Sequence, residues 1–328
     1  MEVCGTHTHT IARAGLKKLI ENEIHLVSGP GCPVCVTAQG DIERMLSLAR
    51  IPGTVVTTFG DMIRVPGVES SLQEERAKGA DVRIVYSPRD ALELARSNPS
   101  SQVVFLAVGF ETTAPAIAAT ALQALDAGVK NFSLYVSHKL IVPAMRAVLD
   151  GGAALQGFLT PGHVSVILGA DAYRPVAEEY RVPCVATGFE PADIMEGLAM
   201  LLELVAGKRM ESAIQYTRAV TPEGNARARD IMFQAFRECD AHWRGIGVIP
   251  GSGLALRDEF ASLDAVKRFS LPAPPEAQLK GCRCGEVLKG LIDPSECGLF
   301  GAACTPSSPV GPCMVSSEGS CAARYRYG

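Results

Sequence analysis

Residues 282 to 328 constrain the chain most. Cys282, Cys284, Cys297, Cys304, Cys313 and Cys321 follow one another as C-x-C-x12-C-x6-C-x8-C-x7-C, among Gly, Ser and Pro and with almost no helical periodicity. A segment this short of patterned apolar residues needs something besides a hydrophobic core to hold it, and its thiols are the candidates. Structural zinc sites carry paired C-x2-C knuckles, which are missing here. The C-x3-C-x2-C spacing of adenosylmethionine radical chemistry is missing too. A [4Fe–4S] cluster takes four thiolates, which would leave two cysteines free as a dithiol/disulfide pair. A disulfide-stapled tail is the competing reading.

Compartment decides between these two. The stretch Met1 to Leu26 carries Glu2, His7, His9, Arg13, Lys17 and Lys18 and lacks the apolar core of a signal peptide. The longest uncharged run, about residues 151 to 170, is interrupted by Pro161-Gly162 and His163, so it does not read as a membrane span. A cytoplasmic location is therefore expected, where the eleven cysteines would stay reduced for metal or redox use. The 31 basic residues against 35 acidic ones form no cationic stripe, which argues against a nucleic-acid partner.

The 328 residues, 47% hydrophobic, suffice for more than one lobe. Apolar β-rich runs at Ile24–Ser28, Thr54–Phe59, Val82–Tyr86, Val103–Val108, Phe132–Ser137 and Pro183–Thr187 alternate with helical patterns. That alternation predicts an α/β fold with parallel sheets and crossover helices. Ile42, Met45, Leu46 and Ala49 mark one buried helix stripe behind Asp41, an expected N-cap. Ile194, Leu198, Leu201, Leu202 and Val205 mark another, with Pro191 in its first turn. Gly109-Phe110-Glu111 and Gly188-Phe189-Glu190 each end an apolar run, where α/β sheets bind ligands. Leu271 to Pro275 reads as a stiff linker.

A second group of chemistry lies near the start, in Cys4-Gly5-Thr6-His7-Thr8-His9 and Gly29-Pro30-Gly31-Cys32-Pro33-Val34-Cys35. Thiols at such a turn meet backbone N–H groups, which is expected to lower their pKa. Cys4 would add a third sulfur to a soft face for one iron if the two loops converge. The bland readings are a thioredoxin-like C-x-x-C pair and a solvated pair of histidines.

These motifs resemble the hydrogenase maturation factor HypD family. The matching strings are MEVCGTHTHT (residues 1–10), SGPGCPVCVT (28–37), TFGDMIRVPG (58–67), VGFETTAP (108–115), LTPGHVSVILG (159–169) and the tail, including PVGPCMVSSEGSC (309–321). The resemblance implies two parallel-sheet α/β domains plus a small irregular C-terminal [4Fe–4S] domain like that of ferredoxin–thioredoxin reductase. We set the divisions at residues 1–97, 98–270 and 271–328. It implies a redox-active scaffold for assembling Fe(CN)2CO, working with the chaperone HypC and receiving cyanide from HypE. Family members generally carry several tens of residues ahead of the CGTH motif, so an N-terminal extension is expected.

By the same resemblance Cys4, Cys32 and Cys35 hold the transient mononuclear iron, with His7 near enough to give a proton or support the ligands. Two thiols one residue apart point to opposite sides of an extended chain, so one of Cys282 and Cys284 is expected not to be a cluster ligand. The reductase arrangement then assigns Cys282, Cys297, Cys304 and Cys321 to the cluster and Cys284 and Cys313 to the redox pair. Asp61, Arg64, Glu111 and His163 fall in matching loops as candidates for lining a cleft. The alternatives for them are an ion-pair network for the first three and a structural role for the histidine. Two other functions stay open: a free-standing iron–sulfur thiol oxidoreductase, and a scaffold that does no chemistry.

Overall fold

The computed structural model describes residues 1–273 and 279–328; the end of the expected linker, Pro274-Pro275, lies outside them. Four parallel strands form the first sheet: β1 (Thr54–Thr58), β2 (Asp81–Ile84), β3 (Gln102–Gly109) and β4 (Phe132–His138), in the order β2-β1-β3-β4. β3 reads as an unbroken apolar run because both of its faces are covered. Val103, Phe105 and Ala107 face helices Pro88–Ser97 and Ala114–Asp126, whereas Val104, Leu106 and Val108 face helix Gln39–Ala49 and the cysteine-bearing loops.

A second parallel sheet holds β5 (Phe158–Pro161), β6 (Cys184–Thr187) and β7 (Ser212–Ile214). The N-terminus extends it: Val3 N–H donates to Leu159 O at 3.2 Å and Leu159 N–H to Met1 O at 2.9 Å, while Glu2 N–H reaches Val27 O at 3.0 Å. The expected strand Ile24–Ser28 is therefore an extended segment bridged to Glu2, too short to form a ladder. An antiparallel hairpin, β8 (Phe236–Trp243) and β9 (Gly247–Leu256), completes the strands described. The sequence reading missed β5, β7 and this hairpin; β5 and β7 span only 4 and 3 residues, and much of β8 is polar and partly exposed.

Strands on both sides of residue 97 share the first sheet, and residues 1–28 belong with the second. The chain thus leaves the second sheet after its first loops, builds the first, and returns. Both predicted helix stripes form, with two corrections. Helix Gln39–Ala49 is capped by Ala38, one turn earlier than Asp41, which frees the Asp41 carboxylate to accept from Tyr135 Oη at 2.8 Å and Ser137 Oγ at 3.0 Å. In helix Pro191–Ala206 Leu202 is exposed and Val205 only partly covered, while Leu204 is buried. No helix among the described residues is long and apolar enough to cross a membrane.

The tail contributes helices Cys284–Leu288 and Ser320–Tyr327 and short 3-10 turns. It docks on helices Gly5–Arg13 and Leu16–Ile20: Thr6 Oγ1 of the first donates to Glu318 Oε1 at 2.9 Å and Lys17 of the second pairs with Asp293 at 3.1 Å.

Candidate functional site: a chain of buried thiols

Two helix starts bring the N-terminal cysteines together. Cys4 is the N-cap of helix Gly5–Arg13 and Cys32 the N-cap of helix Pro33–Val36, where its Sγ accepts from Cys35 N–H at 3.3 Å. The loops converge as the iron reading requires. Gly5 N–H donates to Gly31 O at 3.2 Å, and a Cβ on Gly31 would sit 2.1 Å from Cys4 N. Only glycine permits that approach. Among the described residues, however, no three Cys, His, Asp or Glu side chains converge as a single-ion site.

The expectation of a low thiol pKa in the C-x-x-C turn is overturned at Cys35. Burial pushes Cys4 up to about 12 against the backbone N–H groups of His7 and Thr6, and it pushes Cys35 well above the ordinary thiol value. Removing a thiolate from water here outweighs the helix-terminal N–H groups.

Cys35, fully buried, contacts Cys313 of the tail as well as Cys32. Cys313 and Cys284 belong to the same buried cluster, with Cys282 and Cys321 packed against it, and helix Pro33–Val36 packs on the turn Pro312–Met314. The two thiol-bearing segments, with Cys32 and Cys35 on one and Cys284 and Cys313 on the other, therefore meet in one buried region. All eleven cysteines are free thiols. Cys282, Cys284, Cys297, Cys304, Cys313 and Cys321 line one small cavity closed by Leu299, Phe300 and Met314. Cys284 opens a helix and Arg283 has φ −102° and ψ 24°, so the C-x-C segment is not extended. The argument from opposite sides fails, and the division of ligands from redox pair rests on the resemblance alone.

Asp61 and Arg64 follow β1 on a 3-10 turn and reach the tail: Ser316 Oγ donates to Asp61 Oδ2 at 2.7 Å and Arg64 Nη2 to Val315 O at 3.2 Å. Glu111, just after β3, accepts from Ile141 N–H through Oε1 at 2.9 Å, while Oε2 has no partner; burial lifts its carboxyl to about 7. None of these three forms an ion pair among the described residues.

His7 lies beyond the second sheet's carboxyl edge. Its Nε2 sits 2.8 Å from Gly188 O and 3.2 Å from Thr187 O, which fixes the proton on that nitrogen; Nδ1 is buried and unpartnered. Burial depresses the ring to about 4, so at neutral pH it offers a lone pair and not a labile proton. His163 is exposed and stacks on Phe189 with centroids 3.9 Å apart. The two Gly-Phe-Glu echoes thus end strands of different sheets and do different work. Phe110 packs on Trp243, and Glu190 caps helix Pro191–Ala206.

Sequence reading missed Arg244, in the tip of the β8–β9 hairpin. It is 7% exposed and enters the thiol cluster, with Nε donating to Thr37 O at 2.9 Å and Nη1 to Gln39 Oε1 at 2.5 Å. A cavity of about 640 Å³ lies elsewhere, between Ile11, Leu26, Ile292 and Tyr327. No cysteine lines it, so it is not where the sulfur chemistry sits.

A family model described as HypD, hydrogenase formation hypA family, matches residues 1–328. The chain belongs to the HypD family of hydrogenase maturation factors. It is 46% identical to the hydrogenase maturation factor HypD of Azotobacter vinelandii over 336 aligned residues, covering 100% of this chain and 89% of the relative. The Escherichia coli K12 HypD is 44% identical, with 100% and 88% covered. A putative hydrogenase expression/formation protein of Methanocaldococcus jannaschii is 42% identical, with 100% and 91% covered. Membership accounts for the joint presence of the CGTH, CPVC and tail motifs, and hydrogenase maturation is the role that goes with it.

Proposed function

We propose that the chain is a redox-active scaffold on which the Fe(CN)2CO unit is assembled, in complex with a HypC-type chaperone and with cyanide delivered by a HypE-type donor. The cargo iron takes Cys4, Cys32 and Cys35 as ligands, and since these sulfurs do not converge on one ion position here, the CGTH and CPVC loops close on the iron as it binds. The tail holds a [4Fe–4S] cluster through Cys282, Cys297, Cys304 and Cys321, with Cys284 and Cys313 as the exchangeable pair. The donor set fits such a cluster, since six soft thiols line one apolar cavity and a cubane spreads its thiolates over four irons, so they need not meet at one point. When bound, the cluster supplies electrons one at a time to the neighbouring pair.

The observation that carries this reading is that Cys32, Cys35, Cys313 and Cys284 share one buried cluster, with the CPVC helix packed on the turn that bears Cys313. It places the two thiol pairs next to each other for thiol–disulfide exchange. Asp61 and Arg64 hold the tail against the first sheet, Glu111 carries a proton near neutral pH, and His7 offers a hydrogen-bond acceptor at Nδ1. A free-standing oxidoreductase needs an accessible attacking thiol, whereas Cys32, Cys35 and Cys313 are 3%, 0% and 1% exposed. The test is metal content. Anaerobically purified chain should hold about four irons per chain, with little zinc, and Cys35→Ala should keep the visible chromophore while abolishing maturation. Stoichiometric zinc without a chromophore, or loss of the chromophore in Cys35→Ala, would overturn it.

A further inference from the structure

The tip of the β8–β9 hairpin is wedged between the CPVC helix and the tail. Thr37 bridges to Trp243, Arg244 N–H donates to Val36 O at 2.9 Å, and Gly245, at φ +68°, packs so closely on Gly285 that an added Cβ would lie 2.1 Å from its Cα. Trp243 anchors the tip from inside, with Nε1 donating to Ser252 Oγ at 2.8 Å. This geometry places one guanidinium where the two thiol-bearing segments meet.

Arg244 is a buried cation without a carboxylate. No ion pair among the described residues includes it, and its Nη2 is buried with no hydrogen-bond partner. Its main chain is bonded to Val36, next to Cys35, and the adjoining Gly245 packs on Gly285, next to Cys284, so both thiol-bearing segments flank it. A buried guanidinium with a free N–H is costly unless it meets negative charge. The sulfurs are the groups here that can carry such charge.

We propose that Arg244 is a positioning residue for the exchange between the tail pair and the CPVC pair, directing its free N–H at the negative charge that develops on sulfur. The inference rests on the exchange reading above. In that exchange the Cys313 sulfur attacks Cys35 of a Cys32–Cys35 disulfide. The Cys313–Cys35 bond forms, the Cys32–Cys35 bond breaks, and Cys32 leaves with the electron pair and takes up the proton released by Cys313. Cys284 then attacks Cys313, closing the Cys284–Cys313 disulfide and freeing Cys35, which takes the proton from Cys284. The tail pair loses two electrons and the CPVC pair gains two. Charge spreads over attacking and leaving sulfurs at each attack, and a fixed donor aimed there needs no reorganisation.

The test uses the anaerobically purified full chain carrying Cys32→Ser and Cys284→Ser, which leaves Cys35 and Cys313 to close a single disulfide. Oxidised glutathione takes the two electrons and is released as two thiols; acid quenching and peptide mass spectrometry follow closure. With Arg244 present the Cys35–Cys313 disulfide should form, and Arg244→Gln should slow it about ten- to a hundredfold, the loss of one charge-assisted hydrogen bond. Arg244→Lys, which keeps the charge, should retain about a third of the rate or more. No Cys35–Cys313 disulfide with Arg244 present would defeat the exchange reading. Unchanged closure in Arg244→Gln, or a Lys variant as slow as the Gln variant, would defeat the role of Arg244 alone. Should Arg244→Gln not fold, Gln39→Ala removes one anchor of the guanidinium and should slow closure about threefold, with unchanged closure counting against the inference.

Discussion

Glu111 gives a pH-dependent stability that can be calculated. Its carboxyl is 2% exposed, one oxygen is bonded to Ile141 N–H and the other has no partner, and burial raises it from the ordinary 4.5 to about 7. A raised acid pKa means that the folded state holds its proton where the unfolded chain has lost it. The contribution is neutral below about pH 4.5 and becomes increasingly unfavourable as pH rises to about 7, where it levels off. With about 1.4 kcal/mol per pKa unit, the penalty is about 1 kcal/mol at pH 5.5 and about 3 kcal/mol at pH 8. Glu111→Gln keeps an oxygen for Ile141 and removes the titration. Urea unfolding of both proteins should therefore show the Gln variant gaining about 2 kcal/mol on the wild type between pH 5.5 and 8. Stability curves that stay parallel across this range would refute the buried, protonated state of Glu111.

Gly31→Ala should cost about 2 kcal/mol or more, because the added methyl meets Cys4 and Val3 backbone at 2.1 and 2.2 Å; thermal unfolding checks it, and iron binding at the CGTH–CPVC junction should weaken. Ser316→Ala removes the 2.7 Å bond to Asp61 and should cost about 1 kcal/mol, seen as faster limited proteolysis of the tail with the first sheet intact. Cys284→Ser and Cys313→Ser should keep the visible chromophore and lose thiol-linked electron transfer, whereas Cys282→Ser should distort it; the reverse pattern within the C-x-C would reassign the ligand. His7 should stay neutral down to about pH 4, so its ring resonances should not titrate between pH 5 and 8, and a midpoint near 6.5 would place it in water.

The fold was legible where periodicity is long. Strand β3 and the stripe Ile42, Met45, Leu46, Ala49 carry enough repeats to fix element type and face. β5 and β7 are too short to do so, and residues 1–3 join the second sheet through contacts with residues more than 150 positions away. No local pattern announces such pairing. The same limit applies to the site. The CGTH, CPVC and tail cysteines stand out by type and spacing, but the approach of Cys35 to Cys313 depends on how the tail docks. Arg244 carries no local mark beyond the glycines at 245 and 247, with φ of +68° and +104°, which signal a tight hairpin and not a buried cation. The expected low thiol pKa failed at Cys35 for a related reason: the N–H groups are local, while the burial that outweighs them comes from the whole fold.

Infrared spectroscopy of the chain purified anaerobically with a HypC-type chaperone tests the central claim most directly. Cyanide and carbonyl stretching bands should appear in the complex, and they should vanish in Cys35→Ala while the visible absorption of the tail cluster persists. An intact, cluster-loaded complex with no such bands would contradict the assignment of Cys4, Cys32 and Cys35 to the cargo iron.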